Sequence, residues 1–431
     1  MLQKNLAVNA EGHLTIAGMD AVELAHEFGT PLYVMDEELI RHQMDRYTTA
    51  MKRYLPAGSM PFLASKALSC KEIYRIARDR GMGSDIVSGG ELYTALAAGF
   101  PAAQMCIHGS AKNEREISEA IEAGAGHFVI DNADELSFVD RMAEGKGLVQ
   151  PVLLRLAPGI DPHTFAAVNT GLVDSKFGAA IETGQAMDLT RQALSSPGIR
   201  VDGFHCHLGS QITEVKPYLE GVDIMLSFMD RVRAELGYTA AVLNLGGGFG
   251  VPYVEGDPDV DVEDFIRQIG ERLTERCGQL DYPAPAVFLE PGRSIVAAAG
   301  VTLYKVQSIK SIPGYKNYVA IDGGMTDNPR FALYGSQYTA LVADRAGAPA
   351  DYVADVAGRN CESGDLIGAG MSIQHPAVGD ILAVLVTGAY NYSMASNYNR
   401  VPRPPIVMLR DGKARLVVRR ETMEDLIACD I

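Results

Sequence analysis

Up to Glu290 the chain carries eight short apolar runs, each giving way to polar or glycine-rich residues. They are Phe62 to Ser65, Gly83 to Val87, Met105 to His108, Phe128 to Asp131, Val152 to Leu156, Gly203 to His207, Leu243 to Gly246 and Val287 to Glu290. Between them lie segments such as Lys71 to Arg80 and Glu114 to Glu122, whose apolar residues recur at three and four, as in a helix with one buried face. Alternation of this kind predicts parallel strands, and eight such units predict a (β/α)8 TIM-like barrel. Beyond Arg293 the pattern changes. The β-branched runs Val301 to Ser308, Tyr318 to Ile321, Ile381 to Thr387 and Ala414 to Arg419 are separated by glycine and aspartate turns, and they predict a C-terminal antiparallel β domain. Leu14 to Ala17 and Pro31 to Val34 are also strand-like and are expected to join that sheet. The expected division is therefore residues 1–34 as strands of the β domain, 35–293 as the barrel, and 294–431 as a β-sandwich or barrel-like domain.

Length and charge narrow the class. At 431 residues the chain exceeds a single barrel, which takes roughly 250 residues. With 38 basic and 54 acidic residues the net charge is −16, which disfavours a nucleic-acid partner. No apolar stretch approaches the ~18 residues of a membrane span, and Met1-Leu2-Gln3-Lys4-Asn5 lacks the apolar core of a signal peptide, so a cytoplasmic location away from membranes is expected. The six cysteines lie far apart without a CxxC pair, pointing to reduced thiols rather than to zinc or disulfides.

Chemistry in such barrels gathers at the carboxyl ends of the strands, with phosphate commonly on the loops after strands seven and eight. Here those loops open with Gly246-Gly247-Gly248 and with Glu290-Pro291-Gly292-Arg293. Glycines let bare amides approach a phosphate, although a plain loop reads the same way. Lys66 ends the first run. It is either a solvated strand-end lysine or a Schiff-base amine, for which a rigid, partly desolvated mounting is required. Glu290 offers a carboxylate for a pyridinium proton, or a structural partner for Arg293. An amine, a phosphate cradle and a carboxylate at one mouth suit pyridoxal phosphate, whose charged ring is a strong electron sink. His205 and His207 share a strand face, suited to stacking on a ring, to a satisfied core, or to zinc, for which no third ligand is evident nearby. Cys361 lies beside Glu362 in a turn, as a small hydrophobe or a proton donor. Arg330 and Tyr334, four apart, suit a carboxylate, with surface pairing or packing as the plainer roles for them and for Tyr390.

From about Pro31 to Asp430 the chain resembles the fold-type III pyridoxal-phosphate decarboxylases, and within them the diaminopimelate branch. The likeness rests on Ala64-Ser65-Lys66-Ala67, Asp85 to Leu92, His207 to Gln211, the triple glycine, Glu290 to Arg293, Cys361 to Asp365, Thr387 to Tyr390, Ser393 to Asn399 and Val417 to Thr422. The resemblance implies pyridoxal-phosphate-dependent decarboxylation of meso-2,6-diaminopimelate at its D centre to L-lysine. Acting on another basic amino acid (arginine, D-lysine, D-ornithine or carboxynorspermidine) is the alternative. It implies Lys66 as the Schiff-base lysine, His207 stacked on the ring and Glu290 at its nitrogen. Asp85, Ser210, Gly247, Gly248, Gly292, Arg293 and Tyr390 complete the cofactor site. Arg293, Arg330, Tyr334, Glu362 and Tyr390 would recognise the distal end of the substrate, and Cys361 would donate a proton. A homodimer with shared sites is implied as well. The chain departs from the family pattern at Phe331, where proline is usual, and at Gln337-Tyr338, where a histidine is common.

Overall fold

The computed structural model describes residues 3–160 and 175–431. It divides into two compact units, one of Met44–Gly250 and Asp259–Gly292, the other of Met1–Gln43, Val251–Pro258 and Arg293–Ile431.

In the first unit eight parallel strands close a barrel: Met60–Ala64, Gly83–Ile86, Met105–Ile107, His127–Ile130, Gln150–Ala157, Ile199–His205, Val242–Asn244 and Ala286–Leu289. Closure comes where Ala286–Leu289 pairs with Met60–Ala64, with Phe288 opposite Met60 and Leu289 opposite Pro61. Every predicted run forms its strand. The helices between them follow the apolar periodicity: Lys71–Asp79 buries Ile73, Tyr74, Ile76 and Ala77, and Glu114–Ala123 starts at a capping box in which Asn113 and Glu116 satisfy each other's backbone amides.

Side chains of a strand alternate between its faces, and the barrel interior is built on that period. Phe62, Cys106, Val129, Leu153, Val242 and Phe288 pack into one apolar cluster. Two positions further along those strands come Ala64, His108, Asp131, Arg155, Asn244 and Glu290, while Gly83 and Gly203 are followed at the same spacing by Asp85 and His205. The inward face thus changes from apolar to polar toward the carboxyl ends of the strands.

In the second unit Gly300–Ile312 is the long central strand. It pairs antiparallel with Lys316–Ile321, Ile381–Leu385 and Leu32–Asp36. Leu32–Asp36 is buried throughout and lies between Gly300–Ile312 and Ile406–Arg410, so both of its edges are paired. The sheet is mixed, not wholly antiparallel: Lys316–Ile321 pairs parallel with Tyr352–Ala357, as does Leu32–Asp36 with Ile406–Arg410, since long connections return these strands in the same sense. Leu14–Ile16 does not join this sheet, contrary to expectation. It forms a separate three-stranded sheet with Leu6–Val8 and Met19–Asp20, because the turn through Ala17 and Gly18, both at positive φ, closes a tight local hairpin. Among the described residues no helix is long and apolar enough to cross a membrane.

Candidate active site

The polar ends of the barrel strands converge. Glu290, directly after the eighth strand, is 7% exposed. Its Oε1 accepts from Asn244 Nδ2 at 2.6 Å and lies 3.1 Å from His108 Nε2, while its Oε2 lies 3.3 Å from His205 Nε2. Burial would raise the Glu290 carboxyl, but the imidazoles of His108 and His205 outweigh it and hold the group well below the usual range. Glu290 is therefore an ionised carboxylate inside the barrel. Asp85, on the second strand, is pushed up to about 7 by burial and then by the charge of Glu290. His108 stands 3.6 Å from Asp85 Oδ1. Burial alone would lower His108, yet the two carboxylates bring it up to about 9. His205, fully enclosed, is lowered to about 4 by burial. The sequence showed no third side chain near the histidine pair for zinc; the fold corrects this, bringing His108 and Glu290 to His205 with donor atoms within 4.8 Å of one another. In this trio the rings flank the carboxylate: His205 and Asn244 hydrogen-bond it, and His108 stands beside it as an ion-pair partner.

Lys66 lies on the single turn Ser65–Ala67 that follows the first strand, exposed at the mouth, and Ser65 Oγ beside it donates to the Asp85 carbonyl at 2.6 Å. His207 lies just past the sixth strand and accepts from Gly247 N at its Nδ1, 3.2 Å away. Burial and then the Lys66 and Arg155 charges hold its imidazole well below the usual value, so the ring is neutral. The glycine loop is held to the neighbouring loop by Ile212 N donating to Gly248 O at 2.8 Å and Gly250 N to Ile212 O at 2.9 Å. Ser210 stands on that neighbouring loop, partly exposed. No side chain fits the cradle: a Cβ on Gly247 would meet Glu290 O at 2.0 Å, one on Gly248 would meet Gly209 O at 2.5 Å, and one on Gly292 would meet Ala64 Cβ at 2.9 Å. An amine, bare amides and an ionised carboxylate at one mouth match the aldehyde, phosphate and ring nitrogen of pyridoxal phosphate.

A second cluster lies within the β unit. Arg293 and Arg330 are 6% and 7% exposed, and both donate to the Tyr253 hydroxyl, at 2.6 and 3.1 Å. Arg330 also donates to Tyr338 at 2.8 Å. Tyr390 presents its ring to both guanidiniums, with centroids 5.0 Å from Arg293 Cζ and 5.9 Å from Arg330 Cζ. Among the described residues no carboxylate lies within 4.0 Å of Arg330. A buried cation without a counter-ion calls for an anionic ligand. Tyr334 ends the short helix Arg330–Tyr334, 41% exposed. Cys361 and Glu362 are exposed in a turn, where Cys361 N donates to Asn399 Oδ1 at 2.9 Å. Asp365 anchors that turn, accepting from Asn360 N and Met325 N, each at 2.6 Å.

His108, Asn244, Tyr253 and Tyr338 were not singled out from the sequence. For His108 and Asn244 a signal existed, since each lies two positions after an inward apolar residue of its strand. Tyr338 stands in the stretch where the chain departs from the family pattern, and there its hydroxyl receives Arg330.

Residues 38–297 match the pyridoxal-binding domain of the pyridoxal-dependent decarboxylases. The chain is 42% identical to diaminopimelate decarboxylase of Bacillus subtilis over 98% of its own length and 96% of that protein's. It is 43% identical to the Staphylococcus aureus enzyme of the same name, over 98% of each. The crystal structure of M. jannaschii diaminopimelate decarboxylase in complex with L-lysine superposes with a TM-score of 0.93 at 36% identity, covering 100% of this chain and 99% of that one.

Proposed function

The chain belongs to the diaminopimelate decarboxylases of the pyridoxal-dependent decarboxylase family, and from that premise we infer that it converts meso-2,6-diaminopimelate to L-lysine and carbon dioxide with pyridoxal phosphate as cofactor. The observation that carries this reading is Glu290, buried among Asn244, His205 and His108 at the barrel mouth that also holds Lys66 and the close-packed glycine loop. When bound, pyridoxal phosphate supplies an electron sink for the pair left behind as carbon dioxide departs.

We assign the side chains as follows. Lys66 holds the cofactor covalently through its amine, and the neutral ring of His207 lies against the cofactor ring. Glu290, held ionised, would accept a hydrogen bond from the protonated ring nitrogen and so keep the proton, and the charge, on that ring, with Asp85 as a further member of the cofactor site. To the phosphate we assign Ser210, Gly247, Gly248, Gly292 and Arg293, and to the cofactor site also Tyr390. Arg293, Arg330, Tyr334, Glu362 and Tyr390 hold the distal carboxylate and amine of the substrate. What supports this part is Arg330, a buried cation that lacks an acidic partner among the described residues. Lysine or ornithine in that position would leave the guanidinium unpaired, at a cost of roughly 2 to 5 kcal/mol. Cys361 donates a proton to the carbon that loses its carboxylate. Its exposure, and that of Glu362, supports a homodimer in which a second copy completes the site. We place the enzyme in the cytoplasm.

The test is direct. The protein loaded with pyridoxal phosphate is incubated with meso-diaminopimelate, and lysine and carbon dioxide are followed, with L-lysine, D-lysine, ornithine and arginine in parallel. Lysine from diaminopimelate alone is expected. Carbon dioxide from another substrate only would overturn the distal-site assignment, and none from any would overturn the activity.

A further inference from the structure

We propose that His108 is a positioning residue for the decarboxylation, an imidazole set between Asp85 and Glu290 that fixes Glu290 in the orientation and charge it needs to face the ring nitrogen. This rests on the reading of Glu290 as the partner of that nitrogen.

His108 stands at the end of the third strand, 8% exposed, with its Nε2 3.1 Å from Glu290 Oε1 and 3.6 Å from Asp85 Oδ1. Its ring meets His205 edge-on, with centroids 5.2 Å apart. Hydrogen bonding alone does not require it. Glu290 already has one hydrogen-bond partner on each oxygen, Asn244 on one and His205 on the other, so what His108 adds is charge rather than a missing hydrogen bond. Two buried carboxylates that face one imidazole, at 3.1 and 3.6 Å, disfavour each other's ionisation unless a cation lies between them. His108 is placed to be that cation, because every other group facing the pocket is worse suited. Asn244 carries no charge, and His205 is held neutral by burial. Lys66 acts on Asp85 from the mouth and is committed to the cofactor, while Arg155 feels Glu290 but faces Asp131 at 4.0 Å. Glu91 adds one more negative charge within reach of His108. Had Glu290 to share its proton with Asp85, it would present a hydroxyl rather than an oxygen anion to the ring nitrogen, and the ring would lose the charge that makes it an effective sink. His108 therefore keeps the proton on the cofactor ring without touching it.

The test uses the full-length chain before and after loading with pyridoxal phosphate. In the unloaded chain, nitrogen-15 NMR of the histidines should show one imidazole still doubly protonated at pH 8. That signal should vanish in His108→Gln and titrate at lower pH in Asp85→Asn. In the loaded His108→Gln variant, kcat should fall about tenfold or more, as for loss of a charge-assisted contact, with KM for diaminopimelate nearly unchanged. The visible absorbance of the bound cofactor should change at a lower pH than in the wild type, and His108→Lys, which returns a cation, should recover part of kcat. A neutral His108 at pH 8 in the unloaded chain would overturn the proposal. So would a His108→Gln variant with wild-type kcat and absorbance. Failure of the wild-type chain to form any bound chromophore would instead overturn the reading of Lys66 and Glu290 on which the proposal rests.

Discussion

Gly247→Ala tests the proposed phosphate cradle. An added Cβ would lie 2.0 Å from the carbonyl oxygen of Glu290 and 2.9 Å from its carbonyl carbon, and Cβ atoms essentially never approach closer than 3.0 Å. The backbone must therefore open by at least 1.0 Å, the difference between 3.0 and 2.0 Å. Neither atom can rotate away, since both are main chain. Three contacts move with the loop: Gly247 N to His207 Nδ1 at 3.2 Å, Tyr218 hydroxyl to Gly247 O at 2.8 Å, and Glu290 N to Gly246 O at 2.8 Å. A misplacement of about 1 Å in a positioned site can cost about 100-fold in rate, or ~2.7 kcal/mol. Loss of kcat/KM on that scale is expected, together with weaker binding in an absorbance titration with pyridoxal phosphate. Gly278→Ala is the control. It lies inside the helix Val262–Leu280 with no heavy atom within 4 Å of its would-be Cβ, so it should leave turnover unchanged and stabilise the fold by about 0.5–1 kcal/mol. If Gly247→Ala binds cofactor and turns over like the wild type, the steric argument is wrong.

Three further outcomes are expected. Arg330→Met should raise KM for diaminopimelate by about 10- to 100-fold, the worth of a hydrogen bond to a charged group, while the unloaded protein becomes no less stable, because a buried cation without a carboxylate is removed; unchanged KM would remove Arg330 from substrate recognition. Asp365→Asn turns an amide NH2 toward one of two backbone amides that Asp365 now accepts, with Gly324 and Gly358 packed too closely for the side chain to move aside. It should cost about 1–3 kcal/mol in urea denaturation, and equal midpoints would refute that anchoring role. For His108 the folded-state value of about 9 lies above the ordinary 6.5, so the native state binds this proton more tightly than the unfolded chain. That stabilisation is complete below pH 6.5 and is lost as pH rises to about 9. Asp85, raised to about 7, contributes its own loss mainly below that pH. Between pH 7 and 9 the unloaded protein should therefore lose at most about 3 kcal/mol, and His108→Gln should flatten that slope; a wild type equally stable at both pH values would contradict it.

Much of this architecture is legible in one dimension. The eight strands, the helices over them, the change to β-branched runs after Arg293 and the loops that carry Lys66, the glycines and Glu290 all follow from periods of two and of three to four, which burial imposes locally. The same local logic fails at Leu14–Ile16, where a tight hairpin outcompetes the larger sheet, and at the parallel pairings of the β unit, where long connections set strand direction.

By itself, then, the sequence determined which residues face inward and which lie at strand ends, because those depend only on spacing along one strand. Which polar end meets which was decided by closure and register. The third strand's His108 reaches Glu290 only because the barrel closes on itself, and Arg330 finds Tyr253 and Tyr338 only within the folded β unit. Those contacts join distant stretches of chain, and they set the charge on Glu290 and the need of Arg330 for an anion, neither of which local spacing encodes.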